Sequence, residues 1–299
     1  MRKFIQNILV AMIVFIGTWI LAEFIMGKAN IVNDYSYKYN YAMNNQAIKT
    51  LLIGHSHFHY GVNPKLMGEG VFNFAIAGRW IYYDAELLPK IIPYMPNLET
   101  VIFPLGYPMP YASWHYRGLR DIDKDYAYYY ARYMDIYYDY FPQYIYLSSA
   151  LIANKMGPKY WKDTPVDSLG YSPQYGQGDT WEAENNVSPT IFEGDTAIYC
   201  YKEFCQYFKQ LAKVCHDNNI RFIAVTCPCA DVFIKNTCEQ GVKNLYDLVD
   251  SVAAYYPVEY YNYLDDEEFR ADSIYYNCSH LNSIGADKFA IRLKRDLGL

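Results

Sequence analysis

Short strand-type runs at residues 51–53, 71–77, 100–105, 220–226 and 258–263 set the fold class of this chain. Each is too short for a stable helix and rich in Val, Ile, Leu, Phe or Tyr. The stretches between several of them carry helical periodicity. Residues 82–94 place Leu87, Leu88, Ile91 and Ile92 on one face, 196–218 do the same with Tyr199, Phe204, Phe208, Leu211 and Val214, and 239–255 form a further helix. Strands alternating with helices at these intervals predict an α/β fold, a mainly parallel sheet with helices on both faces.

The first strand leads into the most informative stretch, L-L-I-G-H-S-H-F-H-Y-G-V-N-P over residues 51–64. The apolar run breaks at Gly54 into a polar turn, and Asn63-Pro64 offers an N-cap and first position for a following helix. A turn at the carboxyl end of a parallel strand is where ligands bind in open α/β sheets, so Ser56 is the candidate nucleophile. The spacing alone is common in loops. A second element comes from the far end, where N-C-S-H-L-N-S-I-G-A over 277–286 carries His280 into a last helix that bears Ala286, Phe289, Ile291 and Leu293.

With both blocks in view the chain resembles the SGNH/GDSL hydrolase superfamily, and most of all its membrane-anchored bacterial branch, whose last block continues H-L-N-x-x-G-A as residues 280–286 do. The resemblance implies a flavodoxin-like sheet, Ser56 as nucleophile and His280 as general base. Gly78, after the second strand, would join the Ser56 backbone N–H as an oxyanion donor; an ordinary strand-to-loop glycine is the competing reading. Two departures stand out. Where the family carries Asp, three residues before the histidine, this chain has Asn277, and Pro108 stands where the family places an oxyanion Asn. An amide oxygen can orient an imidazole but lacks the charge that stabilises imidazolium. Asp272, Asp265 or Asp266 are the alternative acids, and His57, Arg79 and Tyr107 are candidates for substrate binding.

His55, His57 and His59 alternate, which on an extended strand would put three imidazoles on one face. No acidic partner or second His motif lies nearby, and a turn is expected here, so no metal and no cofactor is expected.

Arg2 and Lys3 precede an apolar run from residue 4 to residue 22, near the roughly 20 residues that span a bilayer. An uncleaved anchor is the preferred reading, over a cleaved signal peptide with Gly27-Lys28-Ala29 as its only small-x-small site. The basic pair then places the N-terminus in the cytoplasm and the rest outside it, facing the periplasm or cell surface. The expected organisation is an anchor over 1–27, a connector over 28–48, and an SGNH-like domain over 49–299 with an inserted cap at about 109–195. The insert holds tyrosines 126, 129, 130, 133, 137 and 140, a helical stripe that packs on the core or stacks on glycan.

A net charge of −6 without a Lys/Arg block excludes nucleic acid as a partner. All seven cysteines fall after residue 199, and structural thiols with one bridge such as Cys229–Cys238 are expected. The resulting expectation is a membrane-anchored serine esterase or acyl transferase acting on O-acyl groups of cell-envelope glycans, or on a small ester, with a membrane-bound O-acyltransferase as a conceivable partner. The competing class keeps the fold without catalysis and binds glycan as an accessory protein; loss of the family's Asp and Asn favours it.

Overall fold

A computed structural model describes residues 1–28, 34–107, 109–111, 134, 166–178 and 195–299. The chain divides into two units, one of residues 1–33 and 139–163 and one of residues 34–138 and 164–299. The described part of the first unit is helix α1 (Arg2–Lys28). At 27 residues it runs about 40 Å at 1.5 Å per residue, longer than a hydrocarbon core of roughly 30 Å. Phe4, Val10, Ile13 and Phe15 are exposed along it, so it is long and apolar enough to cross a membrane.

The second unit is built on a five-stranded parallel sheet: β1 (Thr50–Leu52), β2 (Val71–Asn73), β3 (Thr100–Pro104), β4 (Arg221–Thr226) and β5 (Glu259–Asn262), in spatial order β2-β1-β3-β4-β5. From β1 the chain goes first to one side and then to the other. That reversal leaves a crevice at the carboxyl ends of β1 and β3, the switch point where such sheets bind ligands. Alternate residues face opposite layers. Leu51, Ile53, Val101, Phe103, Phe222 and Ala224 pack with one group of helices, and Leu52, Ile102, Ile223 and Val225 with the other.

Among the described residues the helices of the second unit are α2 (Asp34–Asn44), α3 (Ser56–Gly61), α4 (Ile81–Ile91), α5 (Asp195–Asp217), α6 (Asp231–Lys235), α7 (Glu239–Ala253) and α8 (Ser283–Leu297). Leu88 of α4, Phe208 of α5 and Leu248 of α7 belong to the first layer, and Phe58 of α3 with Phe289 and Leu293 of α8 to the second. A small antiparallel hairpin, β6 (Tyr275–Asn277) and β7 (His280–Leu281), precedes α8.

Several sequence expectations change. The stretch read as a connector contains α2, which buries Tyr35, Ser36, Lys38 and Ala42 against the domain. Its inner face is polar in composition, which hid the amphipathic period. Lys38 Nζ is fully buried, donating to the Ala75 carbonyl and lying 3.0 Å from His59 Nδ1, and burial lowers its pKa well below the usual range. The helix after β1 starts at Ser56 instead of Pro64; Asn63-Pro64 opens a short 3₁₀ turn. Ile291 is exposed on α8, whose inner face is Phe289, Ala290, Leu293 and Leu297. All seven cysteines are free thiols, so the Cys229–Cys238 bridge is not formed; Cys229 Sγ faces the Cys227 and Ser279 carbonyls instead. Within the expected insert, residues 166–178 run beside the β2 edge, Asn73 N–H donating to the Leu169 carbonyl at 2.9 Å. The tyrosine stripe and Pro108 lie outside the described residues.

Candidate active site

The turn after β1 is shaped by close packing. Gly54 has φ of +95°, and a Cβ there would sit 2.5 Å from Pro104 Cδ, so both conformation and space demand glycine. Its N–H donates to Asp84 Oδ1 at 3.3 Å. His55 caps α3 and Ser56 is the first helical residue, half-buried. The proton positions on His55 follow from its partners. Its Nε2 meets the Pro104 carbonyl at 3.2 Å, and a carbonyl only accepts, so the proton is on Nε2 and the lone pair on Nδ1. That lone pair faces the His57 N–H at 3.4 Å and His57 Nδ1 at 3.0 Å. Burial lowers the His55 pKa to about 3, which keeps the ring neutral.

His280 opens β7, directly after the turn from β6. Asn277 Oδ1 accepts the backbone N–H of His280 at 2.8 Å and of Ser279 at 3.2 Å, so the amide is pinned with its oxygen inward. The same oxygen lies 2.9 Å from His280 Nδ1, which therefore carries the proton, and His280 Nε2 presents its lone pair 2.7 Å from Ser56 Oγ. This is the tautomer that serine activation needs. A free Asn can turn its NH₂ to the ring and force the wrong one; here two backbone donors prevent that rotation. Ser279 Oγ adds a second contact to Nδ1 at 3.1 Å. Burial lowers the His280 pKa to about 4, leaving it an unprotonated base at neutral pH.

The rest of the H-L-N-x-x-G-A block has structural work. Leu281 packs under α3 in the second layer, and Asn282 caps α8 by accepting from Ile284 N and Gly285 N. Gly285 lies against the Ile274 carbonyl, leaving no room for a Cβ.

Gly78 has φ of +73° in the turn after β2, and Ile76 N–H donates to the Gly54 carbonyl at 3.0 Å, which sets that turn beside the Ser56 turn. Neither the Ser56 N–H nor the Gly78 N–H donates to an acceptor among the described residues. The His57 ring lies against that of His280, centroids 4.7 Å apart and planes tilted by 32°.

Other candidates lie elsewhere. Arg79 is buried, 3.0 Å from Asp84 Oδ1 and over the Phe74 ring, so its charge is committed inside the domain. Tyr107 packs its ring on Gly241 and Phe233, its pKa pushed up to about 12 by burial. It shares with His55 and His57 only a cavity of about 10 Å³, room for one water. Asp272 is exposed on a 3₁₀ turn, while Asp265 and Asp266 pair with Arg270 and Arg292. His280 Nδ1 is served by Asn277 and Ser279. The three alternating histidines do not converge, because they lie on a cap and helix instead of a strand: His55 and His57 face each other, and His59 lies against Lys38, with Asp34 Oδ2 3.6 Å from its Nε2. Sequence reasoning missed Asp84, Lys38 and Ser279. A carboxylate in the first turn of a helix, a lysine in a tyrosine-rich segment and a serine beside a histidine carry no signal of their own.

Fold and site together define an α/β protein with a Ser–His–Asn array at the switch point of a parallel sheet. No family model matches the chain, and no curated protein matches it. Solved structures do. One from Streptococcus pneumonia, provisionally named a platelet activating factor, is 11% identical with a TM-score of 0.44 and covers 94% of this chain and 98% of its own. One from Bacteroides fragilis NCTC 9343, provisionally named an acylhydrolase, is 10% identical with a TM-score of 0.44, covering 88% of this chain and 94% of its own.

Proposed function

We propose that this protein is a serine-type ester hydrolase or acyl transferase of the SGNH kind. One observation carries the reading: the chain Ser56–His280–Asn277, whose amide oxygen is pinned so that His280 Nε2 is free to take the serine proton. Ser56 Oγ attacks the ester carbonyl as its proton passes to His280, and the Ser56 and Gly78 N–H groups receive the oxyanion. The leaving alkoxide takes that proton and departs as an alcohol. Water or a second hydroxyl then attacks the acyl-Ser56 ester, its proton returning through His280 to Ser56 Oγ.

The apolar α1, with Arg2 and Lys3 before it, supports an anchored protein with its N-terminus in the cytoplasm and the domain outside. Such a position suits O-acyl groups of envelope glycans as substrate, delivered or received by a membrane O-acyltransferase. A second reading, a glycan-binding accessory protein, draws on the missing carboxylate at Asn277. Labelling the full chain in detergent with a fluorophosphonate separates them: modification of Ser56, abolished in His280→Ala, supports the enzyme. An unlabelled wild type overturns it.

A further inference from the structure

A third imidazole lies beside Ser56 and His280 and is not used by the acyl transfer itself. His57 faces His55 through Nδ1 at 3.0 Å, and His55 holds its own proton on Nε2 against the Pro104 carbonyl. With both rings neutral, the proton between them has to be on His57 Nδ1. His57 Nε2, on the opposite side of the ring, therefore carries a lone pair. It meets no hydrogen-bond partner among the described residues, and His57 is half-buried, its ring tilted against that of His280. Nε2 is open to solvent, so water occupies it until a molecule that brings an N–H or O–H takes its place.

The charge around it narrows the class. His55, His57 and His280 all have pKa values lowered, chiefly by burial, and Arg79 is spent on Asp84. Apart from the two backbone N–H groups assigned to the oxyanion, the side chains described around the serine are neutral imidazoles, which suit hydroxyls and offer an anionic group no cation to pair with.

We propose that His57 Nε2 binds a hydroxyl of the molecule that receives the acyl group, so that the site selects an uncharged vicinal diol, as on a sugar ring. The inference rests on the acyl-transfer reading of Ser56. When the acyl-Ser56 ester is attacked, one hydroxyl of the diol gives its proton to His280 Nε2 and forms the new ester, while Ser56 Oγ leaves and takes that proton. The neighbouring hydroxyl donates to His57 Nε2 and keeps its proton throughout.

The test is a competition in which the full chain in detergent takes acetyl from p-nitrophenyl acetate, with propylene glycol and n-propanol present together. The ratio of the two acetylated products, per hydroxyl, is read by mass spectrometry. It is internal to each protein, so slower acylation or partial folding cancels. The wild type is expected to favour the diol about tenfold, the worth of one hydrogen bond. His57→Phe, which keeps a ring on His280 without a lone pair, should bring the ratio to about one, and His57→Gln, which restores an acceptor oxygen, should recover part of it. A wild-type ratio near one, or a ratio unchanged in His57→Phe, overturns the assignment while Ser56 still labels with fluorophosphonate. Failure of the wild type both to label and to form either product overturns the acyl-transfer reading along with it.

Discussion

The Arg79 guanidinium lies 3.0 Å from the Asp84 carboxylate, with neither side chain reaching solvent. The same carboxylate oxygen accepts the Gly54 N–H, so the pair braces the turn that presents Ser56. Removing one member leaves a buried charge without its partner. Arg79→Ala is expected to cost about 3–5 kcal/mol in urea unfolding, with esterase activity falling alongside. A loss below about 0.5 kcal/mol, the scale of an ordinary surface substitution, would show that the pair carries no such weight.

Asn277 gives a prediction in pH. The free-enzyme rate kcat/KM should hold as pH falls and decline only near the His280 pKa of about 4, because the imidazole must be unprotonated to act as base. Asn277→Asp places a carboxylate against Nδ1, which favours imidazolium, so the acid limb should rise by roughly 1–3 pH units and the rate at neutral pH should increase. An acid limb that stays in place would mean that residue 277 does not touch the titrating group.

Acid should destabilise the fold through its histidines. His55 and His59 are buried with pKa values lowered by desolvation, to about 3 for His55. Below about pH 6.5 the unfolded chain binds protons that the folded one refuses, so stability falls as pH drops. For His55 the slope is about 1.4 kcal/mol per pH unit from about 6.5 down to its folded value. Urea midpoints measured from pH 7 to pH 4.5 should therefore decline, and His55→Gln should flatten the decline. A midpoint that rises on acidification contradicts the assignment.

Topology is checked with a reporter after Leu299. Alkaline phosphatase fused there should be active and a cytoplasmic reporter silent, given Arg2, Lys3 and the apolar α1. The reverse pattern places the domain in the cytoplasm and removes the envelope substrate.

The fold was legible wherever burial followed hydropathy. The runs at 100–105 and 220–226 became β3 and β4 because both faces of a parallel strand are covered. Ser56, His280 and Asn277 stood out through motif spacing, and the structure brings the three together. What stayed hidden depends on partners distant in sequence. Lys38 reads as a solvated residue until Ala75 and His59 close over it, and Arg79 reads as a cation for substrate until Asp84 is beside it. The tautomers of His55 and His57 likewise exist only once the Pro104 carbonyl is in place.

Ser56 and His280 are 224 positions apart, and their meeting depends on α8 seating against α3, with Asn63 Nδ2 donating to Asp287 Oδ1 at 2.7 Å. A chain still emerging from the ribosome completes β1, the Gly54 turn and α3 long before residue 280 exists. Contacts between such distant segments form late, after the loops between them have closed. On the reading proposed above, activation of Ser56 therefore waits for residues 277–297 to fold against α3. On the proposed role of Ser56, a chain cut before residue 280 has the serine turn but no imidazole beside it.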